Sequence, residues 1–387
     1  MALMSAYPPE SKSAARRIPL PSPFPLYAGG VLRDAHVAAE VYGQLAPGRD
    51  NAVLLFTGLS ASAHAAAHEG DRSNGWWQTM IGPGKALDTD RLFVICVNSL
   101  GSCFGSTGPG DVDPATGAKY GASFPELRVE DVARAGQAAV EHFGIEKLEA
   151  VIGPSLGGMT ALAHVVQFPG RARTLVSISG ALAARAHAVA LRALQREIVG
   201  HALHANAPAE QVAQAMKWAR KIGVMSYISA DLLENRFGRE QSEPFAGRAS
   251  GTDFEVESWL EHQANKFQRT FDPWSYWYLS RAMDLFDFGA HGGSNEAAAA
   301  KLRLERALVI GVHEDTLFPI TQQRAIADLL RDAGIDTEFV ELSSQYGHDA
   351  FLVEERLFTP LLGRFLARGA RAVHATRTNV SENDARA

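Results

Sequence analysis

The chain has 387 residues, 46% of them hydrophobic and 21% charged, which suits a globular protein with a large core and excludes a disordered or fibrous one. Its formal net charge of −6 excludes a general field that would gather nucleic acid or an anionic membrane, so a polyanionic substrate has to meet a local basic patch. The two cysteines, Cys96 and Cys103, make neither a disulfide framework nor a zinc motif, and a reducing compartment is the simplest setting for them.

Residues 1–25 are rich in Pro and Ser and read as an irregular arm, without the apolar run of a signal peptide. Strand-like runs follow at His36–Tyr42, Ala52–Phe56, Leu92–Val97, Leu148–Ile152 and Thr174–Ile178. The later runs are continuously apolar, as expected for strands covered on both faces of a parallel sheet. Helical stretches alternate with them, for example Val129–His142, and this alternation predicts an α/β fold. From 183 to 289 the character changes. Helix-type stretches at Ala183–His204, Ala209–Ile222, Ser258–Phe267 and Pro273–Asp287 follow one another with no clear buried strand, so this region reads as an inserted helical lid. Strand character returns at Ala307–Val312 and Thr337–Leu342. The expected core is therefore 26–182 plus 290–368, and the polar, alanine-rich residues 369–387 are expected to be disordered. No stretch reaches the ~20 apolar residues of a membrane span, and a cytoplasmic protein is expected.

The chemistry is concentrated around Ser155, in the run Gly153-Pro154-Ser155-Leu156-Gly157-Gly158-Met159. The run lies between a strand, ending near Ile152, and a helix, starting near Thr160. Gly-x-Ser-x-Gly in that position is the nucleophile elbow of α/β-hydrolase folds, a strained turn that lifts the hydroxyl above the sheet. A serine needs a base, and the base needs an orienting acid. In such folds the chain order is Ser, acid, His. Downstream, the strand ending at Val312 leads into His313-Glu314-Asp315, and the strand ending at Leu342 leads to Gly347-His348-Asp349. Glu314 and Asp315 both compete for the acid role, and His348 is the expected base. His313 lies beside the acid on the same loop and reads as a solvated residue. The oxyanion hole needs two backbone N–H donors. One is expected from Leu156 and the other from Phe56 or Thr57, where the run Leu55-Phe56-Thr57-Gly58-Leu59-Ser60 leaves its strand. His64 and His68 have the i, i+4 spacing of a ligand pair, but the sequence offers no third ligand nearby, and no metal is expected. Trp76 and Trp77 read as packing residues.

These residues, together with Asn98-Ser-Leu-Gly101-Ser-Cys-Phe-Gly105-Ser106-Thr107-Gly108-Pro109, Ala219-Arg220, Phe237-Gly238-Arg239, Ser275 to Asp287 and Asp315-Thr-Leu-Phe-Pro319, resemble the homoserine O-acetyltransferase family of the α/β-hydrolase superfamily from about residue 30 to 368. The resemblance implies a mostly parallel sheet with helices on both faces and a helical lid that caps the site. It selects Asp315 over Glu314 as the acid. It also implies ping-pong transfer from an acyl-CoA co-substrate through an acyl-Ser155, with no tightly bound cofactor. Arg220 and Asp349 match the positions that hold the acceptor's carboxylate and ammonium, and a homodimer is implied. The resemblance points to small-molecule partners, not to nucleic acid or membrane.

The departures from the common pattern lie at Pro154, in the loop Leu59-Ser60-Ala61-Ser62 and in Asn98-Ser-Leu-Gly-Ser-Cys. They resemble the serine O-succinyltransferase branch, which uses succinyl-CoA and L-serine and feeds cysteine synthesis. Homoserine acylation with acetyl-CoA or succinyl-CoA, which feeds methionine synthesis, is the alternative. An esterase using the same triad is the second alternative. A succinyl group brings a carboxylate into a water-poor pocket, and a cation should meet it. The place after the acid where succinylating relatives carry arginine holds Leu317, as in acetyl-specific relatives, so Arg185 at the lid entrance is the expected partner.

Overall fold

The structure, a computed structural model, describes residues 15–242 and 253–368. Eight strands form one sheet: β1 (Arg16–Pro19), β2 (His36–Tyr42), β3 (Ala52–Phe56), β4 (Phe93–Val97), β5 (Leu148–Pro154), β6 (Ala172–Ile178), β7 (Arg306–Val312) and β8 (Asp336–Leu342). Their spatial order is β1-β2-β4-β3-β5-β6-β7-β8. β2 runs antiparallel to β1 and β4, and every other pairing is parallel. Every residue of β3, β4 and β5 is buried, so the runs read as continuously apolar do lie covered on both faces. α1 (Val129–His142) and α2 (Leu156–Gln167) pack together beside the sheet. The sheet's two faces carry separate apolar clusters, one including Leu54, Phe56 and Leu162 and the other Leu55, Trp77 and Phe358.

The part of the N-terminal arm that is described departs from expectation. Arg16–Pro19 is an edge strand, and Phe24–Pro25 pairs with Val31–Leu32. Ile18 and Leu20 are buried while Arg17 and Pro19 face out, so an alternating pattern is present within the Pro-rich run. Proline is tolerated at such an edge because no neighbouring strand needs its missing N–H. Residues 1–14 and the 369–387 tail lie outside the described residues.

After β6 the chain leaves the sheet and forms α3 (Ala186–His204), α4 (Ala209–Tyr227), α5 (Ala230–Phe237), α6 (Glu255–Thr270) and α7 (Pro273–Leu285). It returns at a narrow neck, where Ala183 bridges Asp287 and the Phe288 N–H donates to the Leu182 carbonyl at 2.8 Å. α7 starts with proline in its first turn, and the Asp272 carboxylate caps it by accepting the Ser275 N–H. α5 was not anticipated; its signal is short, a Ser229 N-cap whose hydroxyl accepts the Leu232 N–H and a Gly238 stop. After β7 come α8 (Ile320–Asp332) and β8, and residues 355–368 close the described chain as a helix.

Candidate active site

β5 runs directly into α2, and Ser155 is the residue at the junction, with φ 57° and ψ −123°. A non-glycine residue at positive φ is strained, and the surroundings must hold it there. They do so by close approach. A Cβ on Gly157 would lie 2.5 Å from the Phe56 carbonyl oxygen and 3.0 Å from that of Thr57, so only glycine lets the elbow back onto the end of β3. The strain raises the Ser155 hydroxyl to the end of the sheet, under the insert.

Two loops beyond neighbouring strands bring the partners. His348 Nε2 lies 2.7 Å from Ser155 Oγ, and His348 Nδ1 lies 2.7 Å from Asp315 Oδ2. The other oxygen of Asp315 accepts the Phe318 N–H at 2.8 Å. Asp315 therefore accepts the hydrogen bond of Nδ1–H, which leaves Nε2 free to accept from the serine. Phe318 also stacks on the imidazole at 5.2 Å, so the ring is held in its plane as well as at its edges. Gly347 makes the turn possible: it has φ 51°, and a Cβ there would lie within 2.9 Å of the Tyr227 and Glu314 carbonyl oxygens. Burial by itself would depress the imidazole, and the Asp315 carboxylate more than offsets it, so His348 titrates above its ordinary 6.5. Glu314 turns away, accepting from Ser343 and Ser344, and His313 faces out toward Glu341.

The hydroxyl opens into a cavity of about 120 Å³ between the sheet end and the insert. Arg220 and Asp349 both line it, on opposite elements. The Arg220 guanidinium lies over Tyr227 at 5.1 Å and Phe267 at 5.0 Å, which fixes its direction. Burial raises the Asp349 pKa, and the charge of Arg220 opposes that rise. Leu59, Ser60, Ala61 and Leu317 also line the cavity. Ser62 stands behind the wall, its carbonyl accepting the Trp76 indole N–H at 2.9 Å. Trp76 itself lines the cavity, so it is more than a packing residue, while Trp77 is buried in the core. Phe56 and Thr57 are not among the lining side chains; the chain leaving β3 there touches the elbow through its backbone, as the Gly157 contacts show.

Arg185 does not reach the cavity. It is exposed at the start of α3, its Nη1 donating to Thr321 Oγ1 at 3.3 Å. Two helical turns further on, Arg192 does reach it, and the sequence reading missed this residue. Arg192 is 4% exposed, and its Nε donates to Asp284 Oδ1 at 2.6 Å. Its terminal nitrogens Nη1 and Nη2 are buried without a hydrogen-bond partner among the described residues. A polar residue at position 192 of an amphipathic helix looks solvated in sequence; only the fold shows that this face of α3 covers the site. Glu40 comes to His64 and His68, correcting the expectation that no third group lies near them.

The alpha/beta hydrolase fold family matches residues 51–355. A serine O-succinyltransferase of Frateuria aurantia is 50% identical over 372 residues, covering 92% of this chain and 99% of the relative. The chain belongs to the serine O-succinyltransferase family of α/β hydrolases. The serine O-succinyltransferase of Xanthomonas campestris pv. campestris is 48% identical, covering 90% of this chain and 96% of the relative. Among solved structures, a homoserine O-acetyltransferase from Bacillus anthracis superimposes with a TM-score of 0.83 at 28% identity, over 91% of this chain and 97% of that one. Esterase E22 does so with a TM-score of 0.82 at 27% identity, over 91% and 99%. One frame thus serves proteins named for acyl transfer and for ester hydrolysis, so the fold by itself does not separate the two chemistries.

Proposed function

We propose that this chain transfers the succinyl group of succinyl-CoA to the hydroxyl of L-serine, giving O-succinyl-L-serine and coenzyme A. Ser155 Oγ attacks the thioester carbonyl while His348 Nε2 takes its proton, and Asp315 balances the imidazolium that forms. The Leu156 N–H and an N–H at the Phe56–Thr57 end of β3 receive the developing oxyanion. Collapse expels the thiolate, which leaves with the proton from His348. The serine hydroxyl then attacks the succinyl-Ser155 ester, giving its proton to His348, and Ser155 departs with that proton. Arg220 pairs with the acceptor carboxylate and Asp349 with its ammonium.

The observation that carries the succinyl assignment is Arg192, whose two unpartnered guanidinium nitrogens share a cavity with Ser155. A buried fork with both outer nitrogens open matches the distal carboxylate of a succinyl group, and an acetyl group would leave it unpaired. Arg192 thus replaces Arg185 in that role. The product carries an ester leaving group on the serine β-carbon, which suits replacement by a thiol in cysteine synthesis. Exposed Leu194, Trp218 and Met225 on α3 and α4 support association through the insert as a homodimer, which light scattering tests. No helix among the described residues is long and apolar enough to cross a membrane, in keeping with a cytoplasmic enzyme.

The deciding experiment is mass spectrometry of the protein after brief exposure to succinyl-CoA, followed by product analysis with L-serine, L-homoserine or neither. The proposal requires a succinyl increment on Ser155 and faster turnover with serine. Free succinate as the main product in the presence of serine would make the chain an esterase instead.

A further inference from the structure

A buried charged cluster lies behind the cavity wall, outside the groups that touch substrate. Glu40 sits on β2 opposite Cys96 of β4, and its side chain is 1% exposed. One of its oxygens, Oε2, faces His64 Nδ1 at 2.8 Å, His68 Nε2 at 2.9 Å and the Tyr42 hydroxyl at 3.1 Å. The partners fix where the protons are. His68 Nδ1 accepts the Gly70 N–H at 3.1 Å, so the ring proton is on Nε2 and goes to Glu40. His64 Nε2 faces the Ser73 carbonyl at 3.0 Å, which can only accept. The nearby Ser73 hydroxyl gives its own proton to Asp71 Oδ1 at 2.7 Å, so it too accepts from His64. The other ring nitrogen of His64 meets a carboxylate. With Glu40 ionised, both nitrogens carry protons and the ring is an imidazolium held against a buried carboxylate.

This pair is joined to the reaction through one loop. The chain leaving β3 lines the cavity at Gly58 to Ala61, loops away, and returns to line it at Trp76. His64 ties the two ends together. Its N–H reaches Ser62 Oγ at 3.2 Å, and its carbonyl accepts the Trp76 N–H at 3.4 Å. The Trp76 indole then donates to the Ser62 carbonyl. Tyr42 adds a second anchor from β2, accepting the Ala65 N–H at 2.8 Å.

We infer that Glu40 and His64 form an internal ion pair that fastens the wall formed by Gly58–Ala61 and Trp76 to the sheet, making both positioning residues for acyl transfer. The kinetic part of this inference rests on the proposed function; the ion pair itself does not. The groups facing the pair are Tyr42 on β2, Cys96 on β4, and His68 and Asp71 in the loop, with Asp71 Oδ2 4.0 Å from His64 Nδ1. Burial works against both charges, yet Glu40 titrates below and His64 above its ordinary value, because each holds the other. The contacts of 2.8 and 2.9 Å are hydrogen-bond lengths.

The test has a spectroscopic and a kinetic arm. In the full-length protein with ¹⁵N-labelled histidine at pH 7, His64, assigned by loss of its signals in His64→Gln, should show both ring nitrogens protonated. In Glu40→Gln it should become neutral. Release of coenzyme A without acceptor should slow by about tenfold or more in Glu40→Gln, with the KM for succinyl-CoA within about threefold, as for a displaced cavity wall next to the Phe56–Thr57 oxyanion donors. A neutral His64 in the native protein, native acylation rates in Glu40→Gln, or stoichiometric zinc that strips both histidine protons would each overturn the inference. Absence of succinyl-Ser155 would sink the proposed function while leaving the spectroscopic arm to be read.

Discussion

Removing the open fork of Arg192 should change which acyl donor the enzyme prefers. In Arg192→Met the stem length is kept and the charge is lost. Asp284, its partner, keeps Arg196 at 2.6 Å, so the substitution does not strand a buried carboxylate. A hydrogen bond to a charged group is worth about 1.5–3 kcal/mol, and truncating one side of a buried charged pair costs about 2–5 kcal/mol. At about 1.4 kcal/mol per factor of ten, kcat/KM for succinyl-CoA should fall by roughly thirtyfold to a few thousandfold. Acetyl-CoA carries no distal carboxylate and should be affected within about threefold. The assay is coenzyme A release with each donor at subsaturating concentration, read as the ratio of the two specificity constants. The ratio matters because general damage to the insert lowers both rates alike and cancels. Arg192→Lys should fall between, since it restores charge without the planar fork. Arg185→Ala, altering an exposed side chain, should leave the ratio where it was. Equal losses with both donors in Arg192→Met would refute the reasoning and reduce Arg192 to a structural partner of Asp284.

Asp315→Asn should keep the fold and lower kcat by about three to four orders of magnitude, because the amide stabilises neither the right tautomer nor the imidazolium, as pre-steady-state acylation would register. Asp349→Asn should leave the succinyl-CoA half-reaction near normal and raise the KM for L-serine by about tenfold or more; an equal loss in both half-reactions would place the residue elsewhere in the mechanism. The acylation rate should rise with pH through a pKa above 6.5, since His348 works as a base only when neutral and its folded pKa is raised. The same shift makes its contribution to stability full below the unfolded value and lost as pH rises through the folded one, so thermal melts of the wild type and His348→Gln should converge at alkaline pH. Gly157→Ala should cost about 1–3 kcal/mol of stability, seen as a lower denaturation midpoint, because the added Cβ meets the Phe56 carbonyl at 2.5 Å.

The residues legible in the sequence are those whose role is set by local backbone. Ser155, Asp315 and His348 each lie on the first stretch of chain after a strand, so strand pattern and chain order place them at one sheet end. Continuous apolar runs likewise announce buried parallel strands. What stayed hidden depends on which face of an element meets which neighbour. Arg185 and Arg192 are both arginines at the start of one helix, seven residues apart; only the packing of α3 on α7 turns one inward and leaves the other in solvent. Glu40 and His64 are 24 residues apart, and β2 lies two strands from β3 in the sheet, so the pair is invisible to any local pattern. Ile18 was missed for the opposite reason: its alternation with Leu20 is clear, but a four-residue strand ending on Pro19, with Pro21, Pro23 and Pro25 close behind, looks like a loop.

The likeness to proteins named as an acetyltransferase and as an esterase shows that the fold alone does not decide between transfer and hydrolysis. An acyl-enzyme partitions by which nucleophile reaches it in the right geometry. Water is abundant but unoriented, whereas an acceptor held at two charged ends gains a large effective concentration at the carbonyl. On the proposed function Arg220 and Asp349 are those two ends, one from the insert and one from the loop beside the base, and both line the cavity where the insert meets the sheet. Both are needed for orientation, since a single ion pair lets the hydroxyl swing. If this is the controlling feature, loss of either charge should shift product from O-succinyl-L-serine toward free succinate without slowing acylation. A variant that made less of both products would instead implicate the chemistry of Ser155 itself.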